Sequence, residues 1–188
     1  MSHELAGHQN PRYVALLPAM LDWIDMTLAA HASVSRPVRS FNFQRLPHYF
    51  SEAILTTTGV IVVDRVPTPP LSALGLIEFK TFEARDMAGI TFKDTYFLQA
   101  DHADTESVHF HELVHVVQWK VLGPQRFLLL YADGLARYGY AESPLEIMAF
   151  RRQAQFDVER APYPVEAEVL KETLAFARLE AYSRPEGS

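Results

Sequence analysis

The stretch Val108–Trp119, VHFHELVHVVQW, decides how the rest of the chain is read. It holds the pattern HExxH as His111, Glu112, Leu113, Val114 and His115. On an α-helix, residues four apart stack on one face, so His111 and His115 can each offer an imidazole nitrogen to one ion, with Glu112 set to the side. A catalytic zinc needs that arrangement: three protein ligands, an open position for water, and a carboxylate able to take a proton from it. The neighbours Val108, Phe110, Leu113, Val114, Val116, Val117, Val121 and Leu122 make the helix apolar nearly all round, the mark of a helix enclosed on most sides. Two histidines and a glutamate are costly in such a place unless they find partners, and a metal would satisfy all three. The plainer alternative is a pair of hydrogen-bonded core histidines beside a solvated glutamate.

Working outward, Asp101–Ser107 (DHADTES) is small, polar and acidic, suited to a helix start. Gly123 and Pro124 provide the stop, so the spacing predicts a helix from about Thr105 to Leu122. A second helix is expected from about Pro124 to Arg137, with Phe127, Leu128, Tyr131 and Leu135 inward. After a break at Tyr138–Tyr140, Ser143 and Pro144 read as the N-cap and first residue of a third, continuing to about Phe156. Upstream, Ile90, Phe92, Tyr96 and Leu98 alternate with Thr91, Lys93, Thr95 and Gln99, which predicts one strand with a wetter face running toward the HExxH helix. The β-branched run Val60–Val66, between Gly59 and Pro67, predicts another strand. Pro67, Pro69 and Pro70 stiffen a loop leading into residues 71–82, where a short helix is possible. Residues 33–51 read as a connector. Val14, Leu17, Leu21, Ile24 and Leu28 predict an amphipathic helix from Pro11 to about Ala32, kinked or shortened at Pro18. Residues 1–10 are polar and expected to be disordered.

These elements make an α+β chain, mainly helical, and 188 residues without an internal Gly/Ser linker suit one domain over 1–188. Hydrophobic residues are 48% and charged residues 21%, with mean hydropathy near zero, as in globular chains that stay in solution. The net charge of −6, without a long basic run, argues against nucleic acid or an anionic membrane as partner. With no cysteine, zinc must sit on nitrogen and oxygen. No signal-peptide pattern opens the chain and no apolar run approaches the length of a membrane span, so a cytoplasmic location is the expectation.

Two histidines hold zinc poorly, and a third ligand is sought among Asp133, Glu142 and Glu146. Glu146 is preferred, because it falls in the first turn of a predicted helix among Leu145, Ile147 and Phe150, whereas Glu142 falls in a loop. Ala149, one turn on, leaves room for another helix to come close. Together, HELVHVVQ (111–118) and YAESPLEIMA (140–149) resemble the gluzincin metallopeptidases. They are most similar to small bacterial-type HExxH proteins whose downstream motif reads tyrosine, three residues, proline, one residue, glutamate, two residues, alanine. The resemblance implies one zinc per chain on His111, His115 and Glu146, Glu112 as general base, and Tyr140 as a motif tyrosine at the site. It covers about 40 residues.

The resemblance further implies a minimal zincin-like fold. A small sheet, with the 90–99 strand near the cleft, would cover one side of the HExxH helix and the Glu146 helix the other. An extended peptide or protein substrate could then add along a strand edge. His109, Tyr138 and Tyr140 are the nearby donors for an oxyanion, although His109 faces another side of the helix and reads as structural. One departure stands out: thermolysin-like gluzincins place an aspartate one turn after the ligand glutamate to orient a histidine, and here that residue is Phe150. A backbone carbonyl, Asp101, Asp104 or Asp133 would have to serve. The expected function is a zinc peptidase; the alternatives are a non-proteolytic zinc-binding domain of the same fold that recognises a partner, and a metal-free helical interaction protein.

Overall fold

A computed structural model describes residues 10–158 and 161–182; apart from Asn10, the expected disorder of residues 1–10 lies outside the described residues. Asn10 caps the first helix, its Oδ1 accepting the Arg12 amide at 3.0 Å, and Pro11 takes the first helical position, where an amide donor has no intrahelical partner to lose. Helix α1, Pro11–His31, runs on through Pro18 without ending there. After it come β1 (Arg36–Pro37), α2 (Glu52–Thr57), β2 (Gly59–Val63) and α3 (Lys80–Glu83). Then follow β3 (Gly89–Phe92), β4 (Thr95–Gln99), α4 (Glu106–Leu122), α5 (Pro124–Tyr138), α6 (Pro144–Val158) and α7 (Val165–Tyr182). The architecture is α+β and mainly helical, in one domain.

The four strands form a mixed sheet in the order β1-β2-β4-β3, with β2 and β4 parallel and the outer pairs antiparallel. The single strand expected over 90–99 is in fact a hairpin. The chain reverses at Lys93 and Asp94, with Lys93 in the left-handed region at φ 60°. A two-residue reversal changes which residues share a face, because directly paired residues point the same way. Thr91 pairs with Tyr96 and Gly89 with Leu98, while Ile90 pairs with Phe97 and Phe92 with Thr95. Ile90, Phe92, Tyr96 and Leu98 therefore do not share one face, and neither face is wet. Tyr96 and Leu98 join Val60 in one buried cluster, and Phe92 and Phe97 join Ile61 in another.

Helix α4 runs between these clusters. Twelve of its 17 residues are buried, which makes it the central helix of the molecule. Phe110, Leu113, Val114, Val116 and Val117 pack into the first cluster, Trp119 and Leu122 into the second. Strand β3 covers one side of α4 and α6 packs along another, with Ala149 fully buried at their contact. A third side is covered by α7, which the sequence pattern left unread. Val165, Val169, Thr173 and Ala177 of α7 are buried at intervals of four, one face of a helix. Helix α6 opens through the Ser143 carbonyl, which accepts the Ile147 amide at 2.8 Å. The Ser143 hydroxyl makes no capping bond; it is buried against Gly134 with no hydrogen-bond partner.

One correction concerns membranes. The segment Pro11–Val34 is, by length and composition, long and apolar enough to cross a bilayer. It is weakly apolar, it carries Asp22 and Asp25, and one face of it packs on the rest of the molecule, while Val14, Met26 and Val34 are exposed. Tyr13 and Ile24 are buried, and Leu16, Leu17, Met20, Trp23 and Leu28 pack against the second cluster.

Candidate metal centre

Helix α4 places His111 and His115 one turn apart, with their Nε2 atoms 3.1 Å from each other. The first turn of α6 brings Glu146 across from them, its Oε2 3.4 Å from His111 Nε2 and its Oε1 3.4 Å from His115 Nε2. All three side chains are buried, and together they form a group that could hold a metal ion. The spacing fits a small tetrahedral ion: two donors each about 2.0–2.1 Å from such an ion stand about 3.3 Å apart. Glu146 Oε1 accepts the Tyr131 hydroxyl at 2.5 Å, while Oε2 is buried with no hydrogen-bond partner. A buried carboxylate oxygen without a partner is costly, and a cation between the three donors would remove that cost.

The ring orientations point the same way. His115 Nδ1 lies 2.8 Å from Gln118 Oε1, and the Gln118 amide nitrogen donates to the Leu145 carbonyl at 3.1 Å. The second bond fixes which end of the amide faces His115, so Nδ1–H must donate to an oxygen and the Nε2 lone pair of the neutral ring is left to face the group. His111 Nδ1 stands 3.1 Å from Gln153 Oε1 in the same relation. The orienting groups are thus two glutamines, and not Asp101, Asp104, Asp133 or a backbone carbonyl. Asp101 and Asp104 are exposed, and Asp133 pairs with Arg137 at 3.0 Å. Phe150, at the position of the expected aspartate, instead packs its ring against His111, 4.7 Å between centroids. The orienting role passes to Gln153, the next turn of the same helix.

Without a metal, the group is an ion pair. Burial by itself would lower the His115 pKa, but the Glu146 carboxylate outweighs it and raises it to about 9. Burial would raise Glu146, yet the His115 charge and the closeness of both imidazoles at 3.4 Å hold it well below the ordinary carboxylate range.

Glu112 is not part of the three-donor group. Its Oε2 accepts the Thr91 hydroxyl at 2.6 Å, and the carboxylate sits over Gly89, where a Cβ would come within 2.5 Å of Oε1. Burial raises its pKa against the opposing charges of His111 and His115 and the Thr91 hydrogen bond. Tyr140 is half-buried; burial, then the Glu146 and Glu112 carboxylates, push its hydroxyl far above the ordinary phenol range. Tyr131, read from sequence only as an inward apolar position, is the phenol that bonds Glu146; its spacing from Phe127 on α5 marked it as inward but not as a donor. Glu142 is exposed, Tyr138 is 51% exposed, and neither lines the cavity at the site. His109 is buried on another side of α4, its Nε2 2.8 Å from the Ala103 carbonyl and its Nδ1 2.6 Å from the Tyr96 hydroxyl.

The three donors, Glu112, Tyr131 and Tyr140 lie in the wall of one cavity of ≈ 80 Å³, closed otherwise by apolar side chains of α1, α5 and residues 69–92. Comparison of the chain with protein-family models, with curated proteins and with solved structures finds no match, so the reading of the site stands on its own geometry.

Proposed function

We propose that this chain is a zinc-dependent hydrolase of amide bonds, of the peptidase type, holding one zinc on His111, His115 and Glu146. The observation that carries the reading is the buried donor group with a partnerless Glu146 Oε2, beside a separate carboxylate from the same helix. The N₂O donor set suits zinc, as does the absence of thiolates. When bound, zinc supplies Lewis-acid polarisation of a carbonyl and makes water more acidic. The resemblance of the two motifs to gluzincins supports the same chemistry.

The chain's own residues do the rest. Glu112 takes a proton from the attacking water and returns it to the leaving amine; its raised pKa brings it closer to the operating pH, where a general base works best. Thr91 holds one carboxylate oxygen, leaving the other free to meet the water, and Gly89 leaves the space this requires. Tyr131 and Tyr140 stay protonated across the physiological range; Tyr131 spends its proton on Glu146, which leaves the Tyr140 hydroxyl as the donor offered to a developing oxyanion.

Glu112→Gln tests the reading. It keeps the size and reach of the side chain and removes its basicity. Zinc content should remain at one per chain while hydrolysis of a peptide library falls about 100-fold or more. Cleavage that survives both Glu112→Gln and chelation would overturn the mechanism. A zinc-loaded native protein that cleaves nothing would favour a non-proteolytic binding domain.

A further inference from the structure

Solvent meets the donor group beside two rings. Tyr140 is half-buried and Phe150, packed against His111, is 40% exposed, with 6.0 Å between the Tyr140 and Phe150 centroids. The face of the Tyr140 ring carries the guanidinium of Arg85, 4.5 Å from the centroid. Arg85 is exposed and sits in the turn that follows α3, its amide donating to the Phe82 carbonyl at 3.1 Å. The acids beside it in the chain are engaged elsewhere: Glu83 accepts from the Ser72 amide and hydroxyl, and Asp86 from the Gln99 side chain. Arg12, Arg39, Arg137, Arg151 and Arg152 all pair with carboxylates, whereas no carboxylate among the described residues pairs with Arg85. A guanidinium set on an aromatic ring, with no anion of its own, is suited to receive a carboxylate through two parallel N–H bonds.

The rest of the site favours a peptide held by its end. The cavity of ≈ 80 Å³ walled by the donor group has room for one small side chain, so the remainder of a substrate lies outside it. The nearest strand edge offers few main-chain partners. Gln99 donates to the Ala88 carbonyl, so the alternation of an antiparallel ladder turns the backbone groups of Gly89 and Thr91 toward the free edge of β3. The Thr91 carbonyl on that edge already accepts the Trp119 indole N–H at 3.1 Å. With its main chain weakly held, a bound peptide needs another anchor. The Tyr140 hydroxyl lies beside the Glu146 and Glu112 carboxylates, and Arg85 stands on the ring that carries it. One ring and one hydrogen bond therefore separate the cation from a carbonyl at the donor group, a span that one or two extended residues cover at about 3.3–3.6 Å each.

We propose that Arg85 receives the terminal carboxylate of a peptide substrate, so that hydrolysis at the donor group removes one or two residues from a C-terminus. The inference rests on the hydrolase reading above and narrows its substrates to peptides with a free carboxyl end. In the reaction, the C–N bond of that peptide link breaks and the water oxygen forms the new C–O bond. Glu112 passes the water proton to the leaving amine, the fragment whose carboxylate is held on Arg85.

The monohydroxamate of succinic acid and its alanine conjugate, each as free acid and as terminal amide, test this. They place a carboxylate, or its neutral counterpart, one and two residues from a zinc-binding head group. On the zinc-loaded full chain, calorimetry should find one of the two acids bound about tenfold or more tightly than its amide. Arg85→Gln should bring that acid to within about twofold of its amide and leave the affinity of the amide unchanged. Because Arg85 is exposed, the variant should keep the native thermal melt. One hexapeptide, offered as acid and as amide, should lose residues from the C-terminus of the acid, while the amide is cleaved about tenfold or more slowly; Arg85→Gln should raise KM for the acid. Acids and amides bound alike by the native protein, a preference for the acid that survives Arg85→Gln, or equal cleavage of both hexapeptides would overturn the inference and leave the zinc hydrolase standing. Failure of all four hydroxamates to bind would instead overturn the hydrolase reading, and this inference with it.

Discussion

His109 and His111 are two positions apart on one helix and have opposite chemistry, because the period of the helix sends them to different surroundings. His111 faces other donors. His109 is enclosed by the rings of Phe41 and Phe43 and has both nitrogens engaged in its neutral form, by the Tyr96 hydroxyl and the Ala103 carbonyl. Burial, only partly offset by the Ala103 carbonyl and Asp104, lowers its pKa from 6.5 to about 4. The sign follows from proton binding: between these values the unfolded chain holds the extra proton, so stability rises with pH there. The contribution is fully present above pH 6.5 and is lost as pH falls through 4. The difference is on the order of 3 kcal/mol. Urea unfolding of native protein and His109→Gln at pH 7 and pH 4 should show a smaller pH-dependent loss in the variant. Equal losses would mean that His109 is free to charge in the folded protein. Sequence placed His109 off the metal face, but its burial depends on Phe41, Phe43 and Tyr96, which no helical period points to.

Between elements, the decisive contacts are those that lock α4 to α6 and to the β3–β4 hairpin. Gln118 receives the His115 N–H and donates to Leu145, and so couples the orientation of a candidate ligand to the docking of the helix that carries Glu146. Gln118→Leu removes both bonds and leaves the buried Nδ1–H of His115 unpaired. We expect a loss of about 1–3 kcal/mol in stability and of about tenfold or more in zinc affinity, read by competition with a chelating dye. Gln118→Glu retains the acceptor for His115 and should keep more of the affinity than of the stability. If both variants bind zinc like the native chain, Gln118 does not orient His115. The hairpin shows why such contacts were hard to read. Its turn, Lys93–Asp94, lacks an Asn-Gly or Asp-Gly signature, so the period-two pattern of the sequence runs through it unbroken. The hidden reversal is what sets Gly89 and Thr91 against Glu112.

For the molecule as a whole, a metal held by two helices that meet only in the folded state should contribute to folding. Zinc at about 1,000 times its Kd would add about 4 kcal/mol, or about 8–16 °C in Tm for a chain of this size. Chelation should reverse the shift in a thermal melt; His111→Ala, His115→Ala and Glu146→Ala should abolish it, and Glu142→Ala should leave it intact. A zinc-dependent shift that persists in Glu146→Ala but not in Glu142→Ala would assign the third ligand to the wrong carboxylate. The sequence by itself determined what local periodicity can carry. His111, Glu112 and His115 lie on one buried helix because a turn of helix spaces them so, and Glu146 lies in the first turn of another because Pro144 and its apolar neighbours mark a helix start. Tertiary structure alone decided the partners. Gln153 reaches His111 across 42 residues and Thr91 reaches Glu112 across 21. Trp119 caps the edge of β3, α7 closes the third side of α4, and α1 roofs the cavity. Each of these is a meeting of side chains distant in the chain, fixed by how the elements pack, and no pattern of spacing within a segment encodes it.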